Sequence, residues 1–153
     1  MDRYRDSVEA IVIAIDHVSV DQLDRKPAHG PWTAREVVHH LADSELYESV
    51  RLRLMLAEKT PVLGHWDAKL YAERLHYERP VERALASFSA TAHDNLELLH
   101  SLSEDQWRRD GNIQKPWPLT VETWLEENVR RLHDQLMQML NATSGGRAIP
   151  DLV

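Results

Sequence analysis

The sequence predicts a single all-α domain, and three observations support this prediction. The composition favours helices, because the 153 residues include only five glycines and one phenylalanine, with long stretches of Leu, Ala, Glu and Arg. Apolar residues recur at three- and four-residue steps in four segments. Three clusters of Pro, Gly and short polar residues separate these segments, so we expect four long helices packed as a bundle.

The first three helices can be placed from their start and stop signals. The first is expected from about Asp2 to Val18, and the second from Thr33 to about Lys59. The second has a capping box, Thr33-Ala34-Arg35-Glu36, in which the hydroxyl and the carboxylate satisfy each other's backbone donors. The third is expected from about Pro80 to Leu102, since proline suits the first turn of a helix.

The fourth helix begins at its cap, Thr120, and is expected to end before Gly145 and Gly146. We therefore place the helical bundle at residues 1–142. Residues 143–153 lack a periodic apolar face, so we expect them to form a flexible C-terminal tail.

The longest connection is the crossover between the second and third helices, residues 60–79. Within it, residues 67–73 have the pattern of a short extra helix. Long connections in compact domains often line sites. His65, Trp66 and Asp67 are therefore candidates for the mouth of a pocket.

Charge and composition exclude several classes of function. The net charge is −7, from 18 basic and 25 acidic residues, which argues against a nucleic-acid partner. The chain has no cysteine, so any metal site must use His, Asp, Glu or amide ligands. The longest apolar run is too short for a membrane span or a signal peptide, so we expect a cytoplasmic protein without a membrane partner.

A weak internal repeat suggests that the chain consists of two related halves. The segment from Asp21 to Thr33 is similar to the segment from Asp105 to Thr120. If the repeat is structural, two helical hairpins pack about a pseudo-twofold axis, and Thr33 is equivalent to Thr120.

Polar residues interrupt the buried faces of the second and fourth helices. Glu45 and Glu48 fall inside the apolar arc of the second helix, and Asn128 and Gln135 fall inside that of the fourth. Five residues are expected at the edges of these arcs: His40, Ser44, Arg51, Trp124 and Arg131. Two interpretations stay open, namely a satisfied polar network that sets helix register and a binding site between facing helices.

The segment Trp32-Thr33-Ala34-Arg35-Glu36-Val37-Val38-His39-His40-Leu41-Ala42-Asp43-Ser44-Glu45 closely resembles the second helix of the DinB/YfiT-like superfamily. The resemblance continues through residues 51–54, 58–61, 66–73 and 119–122. It implies a four-helix bundle with a long crossover between helices two and three. It also implies a divalent metal, zinc or nickel, held by one histidine of the second helix and two on the fourth. Some members are thiol-dependent transferases.

The three-histidine set that the resemblance implies is incomplete here. His40 matches the first ligand, but counting from Thr120 places the other two positions on Arg131 and Gln135. Arginine has no lone pair to donate, so Arg131 cannot be a ligand. It either replaces the metal's charge opposite Glu45 or Glu48, or extends from the edge of the bundle into water. We expect His133 to be a surface residue.

Three functions are compatible with these sequence features. The first is a family member without a cofactor that binds a small molecule. The second is a divalent-metal-dependent hydrolase or thiol transferase that uses His40, Glu45 or Glu48, and Gln135. The third is an interaction protein that acts through its dimer surface. We expect a homodimer, because the resemblance implies pairing and four tryptophans lie near or beyond the ends of the predicted helices: Trp66, Trp107, Trp117 and Trp124. We expect His39 to meet either solvent or the dimer partner. The predicted pocket residues are Ser44, Glu45, Glu48, Asn128, Arg131, Gln135, Trp66 and Asp67.

Overall fold

The computed structural model of the chain describes residues 1–27, 30–112 and 119–144. These residues form the following elements: α1 (Asp2–Asp16), α2 (Val20–Leu23), α3 (Ala34–Ala57), α4 (Ala68–Arg74), α5 (Glu82–His100), α6 (Glu104–Trp107), β1 (Asp110–Gly111), β2 (Leu119–Thr120) and α7 (Val121–Thr143). The four long helices form a bundle, as predicted. Both α3 and α1 pack against α5 and α7, so α1 and α3 face each other across the diagonal.

Helix α3 begins where its capping box predicts. The Thr33 side chain accepts from the Glu36 N–H at 3.3 Å, and the Glu36 carboxylate accepts from the Thr33 N–H at 2.8 Å. The helix ends at Ala57, two residues before the predicted end, because Glu58 is extended. Helices α5 and α7 also lie within about two residues of their predicted bounds.

The first helix is shorter than predicted, because a second capping box interrupts it. Helix α1 ends at Asp16, and the side chain of Ser19 accepts from the Gln22 N–H to start α2. A third capping box, formed by Ser103 and Gln106, starts α6. The two halves of the chain thus share one order of elements, a long helix, a short capped helix and a second long helix, as the internal repeat suggests. Residues 113–118, which include part of that repeat, lie outside the described residues.

The long crossover between α3 and α5 contains the short helix that the sequence predicts. Asp67 caps α4 by accepting from the Leu70 N–H at 3.0 Å. The all-α prediction missed one feature, a short antiparallel pairing of β1 with β2 directly before α7. Residue Val62 of the crossover forms an isolated bridge with Asn112, which holds the crossover against this pair.

Two apolar clusters fill the bundle. The larger lies between α1, α3, α5 and α7 and includes Tyr4, Val8, Ile11, Phe88 and Leu132. The smaller surrounds Trp124, Leu52 and Met55 near the β pair. None of the helices in the described ranges combines the length and hydrophobicity that crossing a membrane requires. Thr143 is the last residue of α7, and the rest of the predicted tail, residues 145–153, lies outside the described residues.

Candidate active site and ligand cleft

One carboxylate receives hydrogen bonds from three other helices. Glu45 of α3 is fully buried. Its Oε1 accepts from the Tyr4 hydroxyl of α1 and, at 3.0 Å, from the Asn95 amide of α5. Its Oε2 accepts from Arg131 Nη2 of α7 at 2.6 Å. All four long helices therefore meet at one ionised group, which sets their relative register.

All the N–H groups of the Arg131 guanidinium are hydrogen-bonded within the protein. Besides Glu45, it donates to Ser44 Oγ at 2.7 Å, to Asn128 Oδ1 at 2.6 and 3.2 Å, and to Gln135 Oε1 at 3.4 Å. These hydrogen bonds match the N–H donors that an arginine carries. Only 21% of its side chain is exposed, so the alternative in which Arg131 extends into water is wrong. Arg131 supplies a fixed positive charge and has no N–H left for a ligand.

The network continues from Glu45 to the surface of α5. Asn95 Oδ1 accepts from Ser49 and from Arg53, each at 2.8 Å. Arg53 also forms an ion pair with Asp94. The buried Glu45 and Ser49 of α3 are thus satisfied by partners, which agrees with the interpretation that this part of the network sets register.

Glu48, one helical turn from Glu45, is a second carboxylate that is fixed by hydrogen bonds. Its Oε2 accepts from the Trp124 indole N–H at 3.0 Å, and its Oε1 accepts from Arg51 at 2.9 Å. Trp124 is fully buried, although the sequence pattern places it at the edge of the apolar face. The Glu48 carboxylate therefore stays at one position on the wall of the cleft described below.

His40 is a neutral imidazole among aromatic rings. It is 8% exposed, with the Trp32 ring 4.6 Å and the Trp66 ring 6.1 Å from its centroid. Burial and the nearby charge of Arg131 lower its pKa from 6.5 to about 4. At neutral pH its ring can accept one hydrogen bond and donate one.

A cleft of about 380 Å³ opens beside His40, between α3 and α7. Its walls contain five of the predicted site residues: His40, Glu48, Asn128, Arg131 and Gln135. Ser44 and Glu45 accept hydrogen bonds from Arg131 on the side of Arg131 that faces the protein interior. The structure adds four wall residues from α7 that the sequence pattern did not indicate: Glu127, Arg130, Asp134 and Gln138.

The three crossover candidates have different surroundings. His65 is exposed. Trp66 lies against His40 and also packs on Tyr71, with 4.0 Å between ring centroids. Asp67 is exposed, and its carboxylate caps α4. The structure therefore brings Trp66 to the candidate site and gives Asp67 a local structural contact.

The prediction for His39 is wrong. It was expected to meet solvent or a dimer partner, but it is buried, its Nε2 lies 3.0 Å from the Arg79 carbonyl, and its ring stacks on Tyr77 at 5.4 Å. The physical reason is that the end of the crossover folds back over this face of α3. His133 is exposed, as predicted.

Sequence reasoning missed Tyr4 and Asn95. Tyr4 shares the buried stripe of α1 with Val8, Ile11 and Ile15, and Asn95 shares that of α5 with Ala92. A hydroxyl or an amide within an apolar stripe is the signal that could have identified them, because a buried polar group requires a partner.

The described side chains do not fit the metal that the family resemblance implies. At the two ligand positions that the resemblance implies on α7, Arg131 is a guanidinium and the Gln135 oxygen accepts from it at 3.4 Å. The Glu45 oxygens are bonded by Tyr4, Asn95 and Arg131. Within the described ranges, no three His, Asp or Glu residues are grouped as a metal ion requires. We therefore derive no chemical step through a metal.

Comparison with known proteins shows one family. Residues 3–139 match the profile of the DinB superfamily. The "Putative metal-dependent hydrolase OB0782" of Oceanobacillus iheyensis is 38% identical over 89 residues, which are 58% of this chain and 52% of that protein. The "Putative metal-dependent hydrolase YfiT" of Bacillus subtilis is 32% identical over 97 residues, 63% of this chain and 54% of that protein. The matches thus span about half the length of these curated relatives.

The fold is also that of a solved relative. The structure of YfiT from Bacillus subtilis, described as "a probable metal-dependent hydrolase with an unusual four-helix bundle topology", superposes with a TM-score of 0.84 at 26% identity. The superposition covers 94% of this chain and 83% of the YfiT chain.

Proposed function

This chain belongs to the DinB superfamily, and from that membership we propose that it binds a small molecule in the cleft beside His40 without a three-histidine metal centre. One observation carries the proposal. The Arg131 guanidinium, at a position that the family resemblance implies for a metal ligand, is paired at 2.6 Å with the buried Glu45. The positive charge that a metal would bring is already present as a covalent part of the chain.

Electrostatics supports this proposal. A divalent cation next to His40 would face the fixed charge of Arg131 in a partly buried site, where repulsion is poorly screened. Removing Arg131 to make room would leave Glu45 buried without a counter-ion, which is costly. Arginine and metal are thus alternatives at this position.

The rival function is a divalent-metal-dependent hydrolase or thiol transferase, and the names of the relatives favour the hydrolase. In this chain it would have to use His40 with Glu48 and Gln135, since Glu45 has no free oxygen. Glu48 would then have to give up its bonds to Trp124 and Arg51. Stoichiometric metal in the purified protein would support this rival function.

The measurement is the metal content of protein purified without a nickel column. We expect well under one equivalent of zinc or nickel by elemental analysis, and no change in the His40→Ala variant. Stoichiometric metal that disappears in His40→Ala would show that the chain keeps a metal site, and would overturn the proposal.

A variant that restores the missing histidines tests whether positions 131 and 135 lie close enough to His40 to share a metal ion. The double change Arg131→His and Gln135→His places two imidazoles at i, i+4, facing His40. Zinc should then raise Tm, because binding at a hundredfold excess over Kd adds about 2.7 kcal/mol to the free energy of unfolding. Adding His40→Ala should abolish the rise.

Because the double variant leaves Glu45 without its cation, it should also be made with Glu45→Gln, which removes the buried charge. If neither version gains zinc-dependent stability while both fold, these positions do not converge on His40 and the assignment of Arg131 to a metal position fails.

A further inference from the structure

Four buried polar atoms in the described part of the chain lack a hydrogen-bond partner, and their residues adjoin one another. They are His40 Nδ1, Tyr47 Oη, Arg51 Nε and Trp66 Nε1. His40, Tyr47 and Arg51 lie at i, i+7 and i+11 on α3, which places them within an arc of about 40° around the helix. The three unpaired groups of α3 thus form one stripe.

The crossover covers this stripe. Arg51 Nη2 donates to the Gly64 carbonyl at 2.5 Å, and the Tyr47 hydroxyl lies 2.7 Å from where a Cβ on Gly64 would be. The Trp66 ring lies 5.2 Å from the Tyr47 ring and 6.1 Å from that of His40. The Trp66 ring therefore lies near both Tyr47 and His40, and His40 also lines the cleft.

The chemistry of these atoms defines their partner. The Trp66 and Arg51 N–H groups can only donate, the Tyr47 hydroxyl can donate, and neutral His40 carries one ring N–H. Leaving such donors buried and unpaired costs free energy, so the site calls for an acceptor. The acceptor need not be an anion, because Arg51 is already paired with Glu48 and Arg131 with Glu45.

We propose that the small molecule bound in this cleft carries an uncharged carbonyl group, such as an amide, that reaches past His40 and accepts from the Trp66 indole N–H and the Tyr47 hydroxyl, while its planar part lies against the Trp66 ring. The inference deepens the proposed function and rests on it. Among the four residues with unpaired atoms, His40 is the one that lines the described cleft, so the ligand would enter beside His40 and its binding would require the crossover around Gly64 and Trp66 to move.

The test uses propionamide as the probe and the Trp66 indole N–H as the reporter. The five tryptophans give separate indole signals in a ¹H–¹⁵N spectrum, and Trp66→Phe assigns one of them. We expect propionamide to move the Trp66 signal saturably and to leave that of the distant Trp107 in place. Propionate, which has the same shape and a negative charge, should bind more weakly. No saturable shift, or a stronger response to propionate, would overturn the proposal.

A second variant separates ligand binding from structure. Tyr47→Phe removes a hydroxyl that has no partner, so Tm should stay the same or rise, while the Kd for propionamide should increase about fivefold for one lost hydrogen bond. Tyr71→Phe is the matched control, because Tyr71 also packs on Trp66 but its hydroxyl is not among the unpaired atoms. It should leave the Kd unchanged.

A lower Tm in Tyr47→Phe would mean that ordered water already satisfies the hydroxyl, and would also overturn the proposal. Neither the Trp66 indole signal nor the Tyr47→Phe comparison depends on the metal content of the protein. Bound zinc together with a Trp66 response would count against the proposed function, whereas metal-free protein without a response would count against the carbonyl ligand.

Discussion

At the scale of single residues, Arg131 is the cation that compensates the buried Glu45. Arg131→Ala leaves a fully buried carboxylate with only the neutral donors Tyr4 and Asn95. Because the arginine is partly exposed, we expect the loss at the lower end of the usual range, about 3 kcal/mol of unfolding free energy. Urea denaturation measures it.

The neighbouring Arg130 provides the control for this change. It is exposed on the same helix, so Arg130→Ala should change stability by less than about 0.5 kcal/mol. Equal effects of the two substitutions would mean that the Glu45 pair contributes nothing specific.

His40 makes stability depend on pH. Its folded pKa of about 4 lies below the unfolded value of 6.5, so the unfolded chain takes up the proton first as the pH falls. The stabilisation is present above pH 6.5 and is lost progressively towards pH 4. Between pH 7 and pH 5 the wild type should lose about 2 kcal/mol more than His40→Gln.

Chemical denaturation at a series of pH values measures this difference. His133→Gln removes an exposed histidine from α7 and should follow the wild-type curve. If His40→Gln also follows it, the neutral, buried state of His40 is disproved.

At the scale of elements, the capping box at Thr33 holds the start of the helix that carries His40 and both site carboxylates. Thr33→Ala removes the acceptor for the Glu36 N–H and should cost about 1 kcal/mol, while Thr33→Ser should retain most of the stability. Thr91→Ala, within α5, is a matched threonine substitution without a cap and should be neutral or slightly stabilising. Thermal unfolding of the three variants tests the cap, and equal values for Thr33→Ala and Thr91→Ala would contradict it.

At the scale of the whole molecule, homodimer formation stays a prediction. Four tryptophans near helix ends suggested an apolar surface, but Trp124 is in the core and Trp66 packs within the chain. The described face of α3 still exposes Leu46 and Val50, one turn apart and each about half accessible. We propose pairing with a second copy, and light scattering should give twice the 17.7 kDa of one chain. A monomer over a wide concentration range would contradict this.

The amino-acid sequence alone predicts the bundle, the start of the long helices at Thr33 and Thr120, and the residues of α3 and α7 that face inward. These features depend on local signals, since capping and helical periodicity involve residues three or four positions apart. The pairing of Arg131 with Glu45 was also within reach, because the two residues lie on the inward faces of separate helices and the broken histidine set left a charge to compensate.

The groups that complete the site emerge only from the folded chain. Tyr4, Asn95 and Arg131 reach Glu45 from 41, 50 and 86 positions away along the chain, and no local pattern encodes which of several inward-facing groups meet. The crossover is the second case. Its path buries His39 under Tyr77 and brings Trp66 onto His40, because the segment follows the shape of the finished bundle rather than a helical period of its own.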